Sequence, residues 1–234
     1  MKTAIILAGG FGTRLQSVIQ DVPKPMAPVC GEPFLNYQLK YLSHYGIKHI
    51  VFSVGYLHDK IVSYYQNQYE GLTIDYVIEK EPMGTGGGIR MALESCNEEH
   101  VLVLNGDSFF DVNLHHYAKT FNLLNATHGL ATRSVDDAAR YGTIETENMR
   151  IISFREKSGI HEPGSINGGV YLLNKQHYIN HTPVGQNFSI EKDFFEKQLH
   201  ACFIAGIEYK SYFIDIGIPE DYQKAQHDFK GFTY

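Results

Sequence analysis

The chain has 234 residues, 43% of them hydrophobic, which is enough for one large α/β domain or two small ones with a full core. The formal net charge is -6 and the 20 basic residues are scattered, which argues against a nucleic-acid surface. Cys30, Cys96 and Cys202 are odd in number and far apart, so neither a disulfide framework nor a zinc pattern emerges. No run approaches the ~20 apolar residues of a bilayer span, so a cytoplasmic protein in a reducing compartment, with no membrane partner, is expected.

Strand and helix signals alternate through the first half. Strands are predicted over 3–8, 49–54, 73–79 and 101–104, and helices over 33–45, 58–68 and 87–96. That order implies a parallel sheet with helices on its faces. Pro33 suits a first helical turn and Gly46 a stop. The connection over 9–32 is long for a compact domain, which marks it as functional. The second half mixes strands and helices over 129–133, 141–145, 151–156, 166–173, 188–199 and 212–215, and Pro219-Glu220-Asp221 opens a last helix. No repeat or linker stands out. The expected fold is α/β: a single Rossmann-like domain over 1–234, with a mixed, mostly parallel sheet and helices on both faces.

The most informative stretch is Leu7-Ala8-Gly9-Gly10-Phe11-Gly12-Thr13-Arg14. A buried strand that ends in glycines exposes backbone N–H groups to close approach, which suits an anion such as a triphosphate. Arg14 adds a fork of donors for phosphate oxygens. Lys24 follows, held between Pro23 and Pro25. Thr13-Arg14 after Gly12 excludes the Gly-Lys-Ser/Thr ending of a kinase-type phosphate loop. Leu15 stands where a dinucleotide fold needs its third glycine. A plain structural turn would not require Arg14 and Lys24 as well.

The run from Leu7 to Arg14, followed by Pro23-Lys24-Pro25-Met26, resembles the signature of the sugar-1-phosphate nucleotidyltransferases, and the similarity extends across nearly the whole chain. Gln16-Ser17-Val18-Ile19, Pro25-Met26-Ala27-Pro28 and Gly106-Asp107-Ser108-Phe109-Phe110 resemble one subgroup, the D-glycero-alpha-D-manno-heptose 1-phosphate guanylyltransferases. The resemblance implies a nucleotide-binding part over about 1–110 and a sugar-phosphate part over about 111–234. It implies GTP and a sugar 1-phosphate as substrates, with GDP-heptose for surface polysaccharide as product. Mannose-1-phosphate guanylyltransferase and a UTP-dependent relative are the alternatives, and a sugar-nucleotide-binding regulator without catalysis is a distant one. A homodimer is compatible with the sequence, though no pattern demands it.

The remaining motifs fill in the site. Asp107 ends an apolar strand beside Gly106, and Asp215 repeats the pattern before Gly217. Each alone could cap a helix or complete a turn. In relatives these two positions hold the metal, which implies Mg2+ on Asp107 and Asp215. In Glu79-Lys80-Glu81-Pro82-Met83-Gly84-Thr85-Gly86-Gly87-Gly88, a helix opening in glycines demands a reason, and backbone approach to a base and ribose supplies one. The resemblance places base recognition there, on Gly84, Thr85 and Gly86. A carboxylate at Glu79 only accepts hydrogen bonds, so it suits the adjacent donors of guanine. Glu156 and Lys157 match the family motif for the sugar phosphate. Asn167, which can donate and accept, and the backbone edge at Gly142 are expected to face the sugar, an ordinary turn being the alternative for each. Leu7, Ala8, Gly9, Gly10, Gly12 and Thr13 line the nucleotide, with Arg14 and Lys24 as catalytic cations. His177 and His181 share helical spacing without a third ligand and read as solvated surface. His115-His116 is placed at a helix start.

Overall fold

The computed structural model describes residues 1–15, 18–19, 21–155 and 159–234, with the side chain of Thr13 outside the description. In chain order the first half contains β1 (Thr3–Ala8), a small ribbon of β2 (Pro28–Val29) and β3 (Glu32–Pro33), α1 (Phe34–His44), β4 (His49–Val54), α2 (His58–Tyr65), β5 (Gln68–Tyr69), β6 (Leu72–Ile78), α3 (Gly84–Glu94) and β7 (His100–Asn105). The second half contains β8 (Ser108–Phe110), α4 (Leu114–Leu123), β9 (His128–Val135), β10 (Thr143–Glu147), β11 (Arg150–Arg155), β12 (Gly164–Asn174), α5 (Lys175–Asn180), a π-helical turn (Ile190–Phe195), α6 (Glu196–Gln198), β13 (Ile204–Glu208), β14 (Phe213–Asp215) and α7 (Pro219–Asp228). Among the described residues, no helix is long and apolar enough to cross a membrane.

Among the described residues, ten strands form one sheet in the order β10-β11-β13-β9-β12-β7-β1-β4-β6-β5. The α/β class and the mixed sheet match expectation. The parallel part is narrower than expected: β7, β1, β4 and β6 are parallel, whereas β12 lies antiparallel to β7 and to β9. The short connection between β10 and β11 likewise favours antiparallel pairing, since a parallel return needs a long crossover.

The central strands are buried on both faces, and their alternate residues feed two cores. Ile5, Val51, Val101 and Val103 pack with Ile89 and Leu93 of α3 and with Phe194 and Phe195. Ala4, Ile6, Phe52 and Leu102 pack with Leu39 and Tyr41 of α1, Tyr117 of α4 and Phe229 beyond α7. This is why those strands read as continuous apolar runs.

Two boundaries moved for local reasons. The helix expected to Gln68 stops at Tyr65, because Gln68 and Tyr69 pair with Thr73 and Leu72 around a tight turn. Glu70 and Gly71 both have positive φ there, as such two-residue hairpin turns require. Pro33 caps α1 rather than lying in its first turn, because it pairs with Pro28. His115 and His116 do lie in the first turn of α4, where the Asn113 side chain accepts from the His116 N–H at 3.0 Å.

From β1 the chain moves outward to β4 and β6, then returns to the other side of β1 as β7. A crevice opens where the order reverses, beyond the carboxyl ends of β1 and β7. The loop after Ala8 and the turn after Asn105 both start there.

Candidate active site

The site is built around one lysine. Lys24 opens a 3-10 turn (Lys24–Met26) directly after the extended Pro23, and its side chain is 8% exposed. Its Nζ donates to Asp107 Oδ2 at 2.7 Å and to Asp215 Oδ1 at 3.2 Å, residues 83 and 191 positions away. The two acids meet because β8 and β14 pair antiparallel, with Asp215 opposite Ser108, and because the Ile216 N–H donates to the Asp107 carbonyl. Gln38, buried on α1, donates to the carbonyls of Asn105 and Ser108 and so pins the turn that presents Asp107.

The charges of this trio are interdependent. Burial alone would lower the pKa of Lys24, but the adjacent carboxylates of Asp107 and Asp215 override it and hold the ammonium charged above its ordinary range. Burial, and then the like charge of Asp107, raise the Asp215 carboxyl despite Lys24 and despite the Gly217 N–H it accepts at 2.7 Å. Two carboxylates converging on one cation are hard-oxygen donors within reach of a single ion, the donor type suited to magnesium.

A cavity of about 410 Å³ lies on the β1 side of the trio. Leu7, Gly9, Gly10, Gly12, Arg14, Lys24, Glu79, Gly84, Thr85 and Asp107 all line it. Ala8 does not; it is buried within β1. Thr13 begins the 3-10 turn that carries Arg14. Gly12 has φ +57°, and a Cβ there would lie 2.8 Å from Lys24 Cβ, so the loop folds over the lysine stem only with glycine at this point.

Gly86 and Gly88 of α3 make room for protein groups. Gly86 is buried away from the cavity, and a Cβ on it would lie 2.2 Å from the Phe188 ring. A Cβ on Gly88 would lie 2.8 Å from Glu79 Oε1 and 2.9 Å from Ser53 Oγ. These positions are small to let the 186–188 segment and Glu79 approach the helix; of the predicted trio, Gly84 and Thr85 face the cavity. Glu79 itself is fixed: Ser53 Oγ donates to Oε1 at 2.9 Å and the Met83 N–H to Oε2 at 3.1 Å. Each oxygen retains acceptor capacity toward the cavity.

A second cavity, of about 430 Å³, lies on the β12 side and shares Arg14, Asn105 and Asp107 with the first. Gly142, Asn167 and Asp215 line it, as expected. Glu156 and Lys157, like Gln16 and Ser17, lie outside the described residues. Sequence reasoning did not single out Asn105, Arg140 or Glu191, all of which line this cavity. Asn105 was visible only as the lead-in to Gly106-Asp107. Among the described residues its buried Oδ1 has no hydrogen-bond partner, at the boundary between the cavities. Arg140, adjacent to Tyr141-Gly142, is anchored by Asp221 at 2.8 Å. Glu191 accepts from Asn167 Nδ2 at 2.6 Å across 24 residues, a contact no local pattern announces.

His177 is half-buried rather than solvated: its Nδ1 lies 3.0 Å from Nε2 of the fully buried His128, and its ring stacks on His181. Ligand-type atoms of His128, His177 and Cys202 lie within 4.8 Å of one another. The Asn174 N–H donates to His128 Nδ1 at 3.3 Å, which puts the ring proton on Nε2, the atom facing His177. A protonated nitrogen cannot ligate, so the cluster is a hydrogen-bonded pair rather than a preformed metal centre. It also sits at the end of β12 remote from Asn167.

The chain is 44% identical over 225 residues to the D-glycero-alpha-D-manno-heptose 1-phosphate guanylyltransferase of Aneurinibacillus thermoaerophilus, covering 96% of this chain and 97% of that one. It is 42% identical over 220 residues to the protein of that name from Campylobacter jejuni, covering 94% and 96%. The crystal structure of HddC from Yersinia pseudotuberculosis complexed with GMP-PN superimposes with a TM-score of 0.86 at 37% identity, over 98% of this chain and 100% of that one. The nucleotidyl transferase family matches residues 3–230, and the chain belongs to that family.

Proposed function

We propose that this protein transfers GMP from GTP to D-glycero-alpha-D-manno-heptose 1-phosphate and releases pyrophosphate. The observation that carries the reading is the pair of cavities meeting at Lys24, Asp107 and Asp215, one fit for a nucleoside triphosphate and the other for a sugar phosphate. An oxygen of the sugar 1-phosphate attacks the α-phosphorus of GTP. The bond to the α,β-bridging oxygen breaks, and that oxygen leaves with pyrophosphate. The attacking oxygen is already ionised at neutral pH, so no strong general base is required, and catalysis rests on positioning and charge neutralisation.

Arg14, exposed and lining both cavities, and the backbone N–H groups of the 9–13 loop hold the departing phosphates. Lys24 stabilises the charge that builds on the α-phosphoryl group. Glu79, locked by Ser53 and the Met83 N–H, accepts from the adjacent donors of guanine. The donor chemistry of Asp107 and Asp215 fits Mg2+, which, when bound, would neutralise phosphate charge between the two substrates. Asp107 and Asp215, both in contact with Lys24, would hold it.

The test is pyrophosphate release measured with four nucleoside triphosphates against heptose, mannose and glucose 1-phosphates in magnesium buffer. The reading requires GTP with D-glycero-alpha-D-manno-heptose 1-phosphate to be the fastest pair. Faster release with UTP, or with mannose 1-phosphate, would replace it.

A further inference from the structure

We propose that Glu191, rather than Asn167, makes the direct contact with a hydroxyl of the acceptor sugar, and that Asn167 is the residue that positions it. This rests on the reading of the β12-side cavity as the sugar 1-phosphate site.

An asparagine amide has two N–H donors. At Asn167 both are spent within the protein, one on Tyr171 Oη at 2.8 Å and one on Glu191 Oε1 at 2.6 Å. Its Oδ1 accepts from the Gly169 N–H at 3.0 Å. Asn167 therefore has no donor left for a ligand and only part of one acceptor. Glu191 is the reverse case. It is exposed and lines the cavity, and among the described residues nothing donates to its second oxygen, Oε2. An ionised carboxylate accepts from a sugar hydroxyl in a charge-assisted bond, stronger than a neutral one. The same charge repels phosphate, so Glu191 faces the hydroxyl-bearing part of the ligand while Arg140 lines the same cavity as a cation for its phosphate.

The backbone around Glu191 is unusually well held. It lies in the π-helical turn Ile190–Phe195, a geometry that is rare and often found at functional sites. Ser189 Oγ accepts from the Lys192 N–H at 3.4 Å, and Asp193 Oδ2 accepts from the Ser189 N–H at 2.9 Å. Thr85 Oγ1, on the wall of the nucleotide cavity, accepts from the Ile190 N–H at 3.1 Å. Glu191 is thus fixed at its side chain by Asn167 and at its backbone by a capped turn, which is how a carboxylate is kept aimed at one ligand atom.

The experiment compares Glu191→Ala, Glu191→Gln, Asn167→Ala and the Glu191→Ala/Asn167→Ala double variant with the wild type. Steady-state pyrophosphate release is measured with GTP and heptose 1-phosphate, or with whichever sugar 1-phosphate the wild type turns over fastest. Circular dichroism checks folding. Glu191→Ala should raise the KM for the sugar 1-phosphate by roughly 10- to 100-fold while leaving the KM for GTP within about twofold. Glu191→Gln, which can still meet both Asn167 and a hydroxyl, should lose less. Asn167→Ala should also raise the sugar KM, and the double variant should be no worse than Glu191→Ala, because Asn167 acts through Glu191. An unchanged sugar KM in Glu191→Ala, or independent additive losses in the double variant, would return the direct contact to Asn167. A wild type inactive on every sugar 1-phosphate would instead overturn the functional reading, and this inference with it.

Discussion

Replacing Lys24 tests the centre of the site most directly. Its ammonium bridges two carboxylates at 2.7 and 3.2 Å, and without it Asp107 and Asp215 face each other uncompensated. Breaking a fully buried ion pair costs about 3–5 kcal/mol. Here the Asp107 side chain is 41% exposed, so water screens part of the loss. Asp215, already raised by burial and by Asp107, takes up a proton more readily and relieves more of it. We therefore expect Lys24→Met, which keeps most of the volume, to lose about 1–3 kcal/mol, or about 2–12 °C in Tm for a chain of this size. Turnover should fall by about 10²- to 10³-fold, the usual loss when one preorganised charge stabiliser is removed. Thermal unfolding and pyrophosphate release measure the two effects separately. Magnesium without nucleotide should raise the Tm of Lys24→Met more than that of the wild type, because the ammonium no longer competes for the same carboxylates. A Lys24→Met protein that keeps turnover within about tenfold of wild type would refute the assignment of transition-state charge to this lysine.

Other perturbations probe the surroundings of the site. Glu79→Gln should shift base preference from GTP toward UTP, since an amide presents a donor where guanine also has one; an unchanged GTP-to-UTP ratio of kcat/KM would remove Glu79 from base recognition. Gly86→Ala would drive a Cβ to 2.2 Å from the Phe188 ring. The overpacking cost of about 1–3 kcal/mol outweighs the roughly 1 kcal/mol gained in helix propensity, so Tm should drop, and a Phe188→Leu second change should restore part of it. Acid stability should depend on His128. Burial holds its pKa well below the usual 6.5, with neighbouring His177 adding to the effect. The unfolded chain therefore binds a proton that the folded one refuses. Stability is then flat above about pH 6.5 and falls below it, by up to about 1.4 kcal/mol per pH unit for this one group. Urea unfolding from pH 5 to 8 should show that slope, and His128→Gln should remove about one proton's worth of it.

Much of this was legible from local sequence. The strands β1, β4 and β7 are continuous apolar runs because they are buried on both faces, and the Gly9-to-Arg14 loop reveals itself because close backbone approach tolerates few other residues. Local chemistry also nominated Lys24, Asp107 and Asp215 one by one. Only the tertiary structure decided that a single ammonium joins the two acids, since that depends on β8 pairing with β14 across more than a hundred residues of chain. It also decided that the α3 glycines make room for Phe188 and Glu79, and that His177 leans on a buried His128. The donors of Asn167, likewise, are spent on Tyr171 and Glu191. Periodicity and spacing record what each residue needs from its immediate backbone. Which distant partner fills a hydrogen-bond or charge vacancy is settled when strands and loops far apart in the chain meet in the fold, and no local pattern carries that information.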